Sequence, residues 1–162
     1  MSSILITGGA GFIGKRLALS LRKAGHSVVV FDNLHHQVHP DPDSTVTELE
    51  LAGVNVTLGD VLDLNAMTKA LVAARAEIVV HLAAETGTGQ SFDLLAHYCE
   101  INATGTARLI EALRAARIEG NSTRRVILAG SRAVYGEGAC HTVEGREVTA
   151  VPRLTSDLAA GD

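Results

Sequence analysis

The residues with the clearest chemical potential lie early in the chain. Glycines stand at Gly8, Gly11 and Gly14 in the string Thr7-Gly8-Gly9-Ala10-Gly11-Phe12-Ile13-Gly14, between an apolar run and a helical pattern. In such a strand-turn-helix the first glycine permits a tight turn and the second lets backbone approach a pyrophosphate. The third lets the helix sit close to the strand. Unpaired N–H groups and the dipole at the helix start then favour the negative phosphates. Asp32 follows eighteen residues after Gly14, at the end of the second apolar run, where a carboxylate accepts hydrogen bonds from an adenosine ribose. It would repel a 2′-phosphate, and Asn33 and Leu34 supply no compensating cation, so NAD is expected over NADP.

Other residue types invite chemistry less strongly. His35, His36 and His39 sit among Pro40 and Pro42 without a cysteine or clustered carboxylate nearby, so they read as solvated histidines of a surface loop spanning 33–45, and no metal site is expected. His81 ends a buried apolar run and reads as a core histidine with its hydrogen bonds satisfied. Cys140 and His141 complete no metal-binding set. Cys99 and Cys140 show neither a CxxC spacing nor the density of a disulfide framework, which fits a reducing cytosol.

The elements that must position these residues alternate along the chain. Short valine- and isoleucine-rich runs at Ile4 to Thr7, Val28 to Phe31, Val54 to Leu58, Ile78 to Leu82 and Val126 to Ala129 are continuous rather than alternating, as strands covered on both faces require. Helical stripes lie between them. Ile13, Leu17, Leu21 and Ala24 form one, stopped by Gly25; Leu64, Met67 and Leu71 form a second; Ile101, Gly105, Leu109, Ala112 and Ala116 form a third. The fold class is therefore α/β, a doubly wound parallel sheet with helices on both faces, binding ligands at the carboxyl ends of its strands. After Gly136 the pattern dissolves, and an irregular segment is expected.

A chain of 162 residues with 46% hydrophobic content suits one domain with a sizeable core. Its formal charge of −4 is spread evenly, without a basic stripe for nucleic acid or an anionic membrane. No run reaches the length of a membrane span, and nothing at the N-terminus reads as a signal peptide; a cytoplasmic location is expected.

The string TGGAGFIG, with its GxxGxxG spacing, resembles the extended short-chain dehydrogenase/reductases of the NAD-dependent epimerase/dehydratase family. Further motifs match in order. Gly59-Asp60-Val61 looks like the family's adenine-binding aspartate and its neighbour, and His81-Leu82-Ala83-Ala84 like its cofactor-lining turn. Asn102 matches the helix asparagine beneath the cofactor, and Ser131, in Ser131-Arg132-Ala133-Val134-Tyr135-Gly136, the active-site serine. Within the family, His35 to Pro40, Thr86 to Ser91 and Ser131 to Gly138 look most like nucleotide-sugar epimerases of the dTDP-L-rhamnose 4-epimerase type. The resemblance implies a Rossmann fold over 1–136 holding NAD through Gly8, Gly11, Phe12, Ile13, Gly14, Asp32, Asn33, Asp60, Val61, Leu82, Ala83, Ala84 and Asn102, with Ser131 catalytic.

It also implies an enzyme that oxidises a dTDP- or UDP-sugar to a transient 4-keto sugar and returns the hydride to the other face. The family's proton-transfer tyrosine belongs to a Tyr-x-x-x-Lys pair, yet Ala139 lies four residues after Tyr135 and Asn102 four after Tyr98. Residues 137–162 accordingly read as an insertion leading to a catalytic and substrate part beyond the chain, which alone would be inactive. A dehydratase or reductase of the same family and a nonenzymatic NAD-binding domain are the alternatives; the dehydratases' Thr-Asp-Glu triplet is missing between 124 and 162. A homodimer through a helix at 92–116 is a further implication.

Overall fold

A computed structural model describes residues 1–135, 138–149, 156 and 159, and the chain divides into two compact units, Met1–Ala129 and Gly130–Asp162. The first unit runs β1 (Ser3–Thr7), α1 (Phe12–Lys23), β2 (Ser27–Asp32), α2 (Pro42–Leu51), β3 (Asn55–Leu58), α3 (Leu64–Ala74), β4 (Ile78–His81), α4 (Thr88–Asp93), α5 (Leu95–Cys99), a π-helical turn (Glu100–Thr104), α6 (Gly105–Ile118) and β5 (Arg125–Leu128). The five strands pair in parallel in the order β3-β2-β1-β4-β5. This is the expected Rossmann-like α/β sheet, and its order reverses between β1 and β4.

Because side chains alternate across a strand, neighbouring residues of one apolar run enter different cores. Ile4, Ile6, Val28, Val30 and Val80 pack with Ala18 of α1 and Leu49 of α2. Leu5, Phe31 and Val79 point the other way, against Met67 and Leu71 of α3 and Leu109, Ala112 and Ala116 of α6. The continuous apolar runs are thus two interleaved half-patterns, one for each face. β5 differs: Val126, Ile127 and Leu128 remain 40, 48 and 58% exposed at the sheet's edge.

Two expectations about the helices need correction. Of the α1 stripe, Leu17 and Leu21 pack against the core as expected, but Ile13, 66% exposed, and Ala24 do not, and the buried residues are Gly14 and Ala18. The small residues win that face because they let the helix lie close to the sheet, and a β-carbon on Gly14 would overlap Gly8 O and the backbone of Gly9. The stretch 33–45 is not wholly loop, since α2 starts at Pro42, with the Asp41 side chain accepting from Ser44 N. Nor are its histidines all solvated. His39 is buried.

In the second unit a short 3₁₀ turn (Arg132–Tyr135) precedes an antiparallel hairpin of β6 (Ala139–His141) and β7 (Glu147–Thr149). An irregular segment was expected here. Its strands, three residues each, are too short to show a period, and Gly145 supplies the positive φ of +79° that the turn needs. Gly136 lies outside the described residues. Among the described residues no helix is long and apolar enough to cross a membrane, and no group of three His, Cys, Asp or Glu side chains is placed to hold a metal ion.

Candidate functional site

At the carboxyl edge of the sheet, the turns after β1, β2, β3 and β4 surround one pocket. Gly8, Gly11, Asp32, Asn33, Asp60, Val61, Leu82, Ala83 and Ala84 all line it, so most of the residues singled out by spacing and resemblance converge. The convergence is built from the backbone. Gly8 donates to Phe31 O at 2.9 Å with φ of +65°, and a β-carbon there would come within 2.6 Å of Ala83 N. Only glycine allows the β1 and β4 turns to approach so closely. Gly11 caps α1 without any side-chain hydrogen bond, and the first turn carries no acid, which leaves the helix's initial N–H groups available to an anion.

The carboxylate of Asp32 is 8% exposed and held at both oxygens. Ala10 N donates to Oδ2 at 3.0 Å and Leu34 N to Oδ1 at 2.9 Å. Each oxygen keeps a lone pair for a further donor, as a ribose diol requires. Leu34 adopts the left-handed conformation, φ 53°, uncommon for a branched residue; it reverses the chain immediately after Asp32. Asn33 Nδ2 reaches Asp60 Oδ2 at 3.1 Å, and Leu62 N donates to Asp60 Oδ1 at 2.9 Å, so the β2 and β3 turns are tied together.

Behind the pocket lies a hydrogen-bond chain that spacing could not reveal. Thr106 Oγ1 donates to Asn102 O at 2.7 Å, so toward His81 Nε2, 3.2 Å away, it acts as acceptor. The ring proton then sits on Nε2, and Nδ1 accepts from the Thr7 hydroxyl at 2.6 Å. Thr7 Oγ1 in turn accepts from Ala83 N at 3.4 Å. Neutral imidazole satisfies every step, and burial independently pushes the His81 pKa below its ordinary value. The core reading of His81 holds: it joins the ends of β1 and β4 to α6.

Asn102 sits in the π-helical turn, a distortion that re-aims side chains and recurs at functional sites. Its amide grips the Glu85 backbone twice, Oδ1 accepting from Glu85 N at 2.8 Å and Nδ2 donating to Glu85 O at 3.0 Å. The asparagine therefore holds the turn that lines the pocket and is itself outside the lining. Glu85, which carried no motif, lines it 3.5 Å from His97 Nε2, and His39, expected as a solvated loop histidine, lines it on the Asp32 side.

Other expected residues stand apart. Phe12 is 75% exposed, under the Arg16 guanidinium at 3.9 Å, and Ile13 lines no part of the pocket. Gly14 contributes through close packing. Ser131 belongs to the second unit, where its carbonyl accepts from Val134 N at 3.3 Å.

A parallel sheet with a glycine turn, an acid at the second strand and a pocket at the switch point defines a dinucleotide-binding Rossmann-like domain. Residues 4–156 match the model of the NAD dependent epimerase/dehydratase family, and the chain belongs to that family. It is 40% identical over 157 residues to a dTDP-L-rhamnose 4-epimerase of Burkholderia thailandensis, covering 97% of this chain and 42% of the relative. It is 30% identical to the UDP-glucose 4-epimerase of Mus musculus, covering 100% and 50% respectively. The chain thus spans half or less of these relatives. Among solved structures, a UDP-glucose 4-epimerase from Brucella ovis in complex with NAD superposes with a TM-score of 0.69 at 33% identity, over 84% of this chain and 38% of that one.

Proposed function

We propose that this chain is the NAD-binding portion of a nucleotide-sugar 4-epimerase, residues 1–136 holding the cofactor and 137–162 leading toward the remainder of the enzyme. One observation carries the reading: the Asp32 carboxylate lines the pocket with lone pairs left over, beside the uncapped start of α1. The cradle fits a dinucleotide. Gly8 and Gly11 leave room where a side chain would stand, Asp32 takes the adenosine ribose, Asn33, Asp60 and Val61 border the base, and Leu82 to Ala84 floor the path beyond. Phe12, Ile13 and Gly14 shape the helix start, and Asn102 acts through Glu85.

NAD bound here supplies a hydride acceptor that returns the hydride within each cycle. The protein's part is to fix where that exchange happens. The Thr7–His81–Thr106 chain keeps the β1 and β4 turns in register and prevents the pocket floor from shifting. The 4-epimerase relatives support a dTDP- or UDP-sugar as substrate. The match of Ser131 to the family's active-site serine supports a role for it at the reacting oxygen. A cytoplasmic location accords with the free thiols of Cys99 and Cys140, and a homodimer through the 92–116 segment with the exposed Phe92, Leu95 and Ile110.

Calorimetric titration of the chain with NAD+ and NADP+ tests the cofactor reading. NAD+ binds the folded wild type, and Asp32→Ala weakens it on the order of tenfold or more, the loss of hydrogen bonds to a charged acceptor. Folded protein that ignores both nucleotides overturns the reading.

A further inference from the structure

Gln37 and Gln90 stand 53 residues apart, both exposed and both outside the lining of the nucleotide pocket, yet Gln37 Nε2 donates to Gln90 Oε1 at 2.8 Å. Gln37 follows β2, between His35 and Val38, which line the pocket. Gln90 lies in α4 after β4, beyond Glu85, which lines it with His97. Since β2 and β4 flank β1 in the sheet, a bond between the segments that follow them spans the glycine turn after β1. A pyrophosphate held at that turn lies beneath the bond and enters or leaves most readily when it is broken.

A second partner for the Gln90 carbonyl is close by. Tyr98 Oη, from α5, is buried without a hydrogen-bond partner, the one such side-chain atom among the described residues. A β-carbon at Gly87 would stand 2.8 Å from Tyr98 Oη and 2.8 Å from Gln90 Oε1, so the two oxygens are separated by at most twice that distance. With glycine at 87 no side chain stands between them. An unpaired buried hydroxyl is costly, whereas an exposed amide finds water. Rotation of the Gln90 carbonyl from Gln37 toward Tyr98 lets the phenol donate and leaves Gln37 to solvent, so the exchange costs little.

We propose, on the NAD-binding reading, that the Gln37–Gln90 bond is a clasp across the cofactor's pyrophosphate, and that it opens when the Gln90 carbonyl passes to the Tyr98 hydroxyl. Such a device acts on rates. Closed, it hinders entry and exit alike; open, it admits and releases the dinucleotide, so the dissociation constant shifts less than either rate. Gln37 holds the closed arrangement and Tyr98 the open one. Removing each therefore moves the rates in opposite directions, which general loosening of the surface does not do.

Stopped-flow mixing with NADH gives the association rate from the nicotinamide's fluorescence, and a chase with excess NAD+ gives the release rate. Gln37→Ala should raise both about fivefold, the worth of one hydrogen bond. Tyr98→Phe, which removes the alternative donor, should lower both by a similar factor. Wild-type rates in either variant, or rates that move the same way in both, overturn the clasp while leaving the NAD-binding reading in place. Folded wild type that binds neither NAD+ nor NADH overturns both together. Should Tyr98→Phe not fold, Gln90→Ala and the double variant with Gln37→Ala decide: one broken bond predicts the same rates in all three, and additive acceleration in the double variant is the overturning result.

Discussion

β2 and β5 look alike as sequence, each a short parallel strand rich in valine or isoleucine, but they live in different surroundings. Val30 on β2 is fully buried between helices, whereas Val126 on β5 is 40% exposed at the edge. Apolar character determines that a run becomes a strand; the layers packed against it determine whether the run contributes to a core. β2 also ends in the carboxylate that the pocket is built around, while β5 ends where the first unit does. Rigidity is concentrated at the end where four strand termini are cross-linked by hydrogen bonds.

Substitutions sharpen this contrast. Gly14→Val should be the most damaging, because no rotamer avoids the backbone of Gly8 and Gly9; a loss of about 3 kcal/mol or more is expected in denaturant unfolding. Val30→Ala should cost about 2 kcal/mol through lost burial and a residual cavity. The identical change at Val126 should stay near 0.5 kcal/mol, as at most surface positions. Equal costs at the two valines would abolish the distinction between the strands. The smallest expected effect is a change of slope. His81 is neutral in the folded protein with its pKa lowered by burial, so below the ordinary histidine value of about 6.5 the unfolded chain takes up a proton that the folded chain resists. Stability is therefore full above that pH and declines as pH falls toward the folded value, and His81→Gln should flatten the decline.

β1, β2, β4 and β5 were legible because their runs are apolar on both faces, β3 through Val54, Val56 and Leu58 despite Asn55 and Thr57, and the glycine turn and Asp32 because their geometry is local. The pocket's other parts depend on distant meetings. Thr7 and His81 lie 74 residues apart, and neither residue type announces the bond between them. Glu85 carries no motif and is placed by an asparagine from another helix, and His39, although within a recognised stretch, is brought to the pocket by a strained leucine that spacing does not reveal. α2 had a readable start in Asp41-Pro42-Asp43-Ser44, but its apolar stripe is thin, with Leu49 the one buried residue. The α1 stripe held at Leu17 and Leu21 and misled at Ile13 and Ala24, because glycine and alanine, poor markers of apolarity, occupy its tightest contact.

The two-point grip of Asn102 on Glu85 makes a side-chain amide imitate a peptide neighbour, completing a rung between the β4 turn and the helical segment leading into α6. The Glu85 N–H, although in a surface turn, exchanges with solvent only when that rung opens. Opening the pocket's rim at Glu85 therefore requires the helix start that carries Asn102 to let go, which couples local unfolding ahead of α6 to that rim.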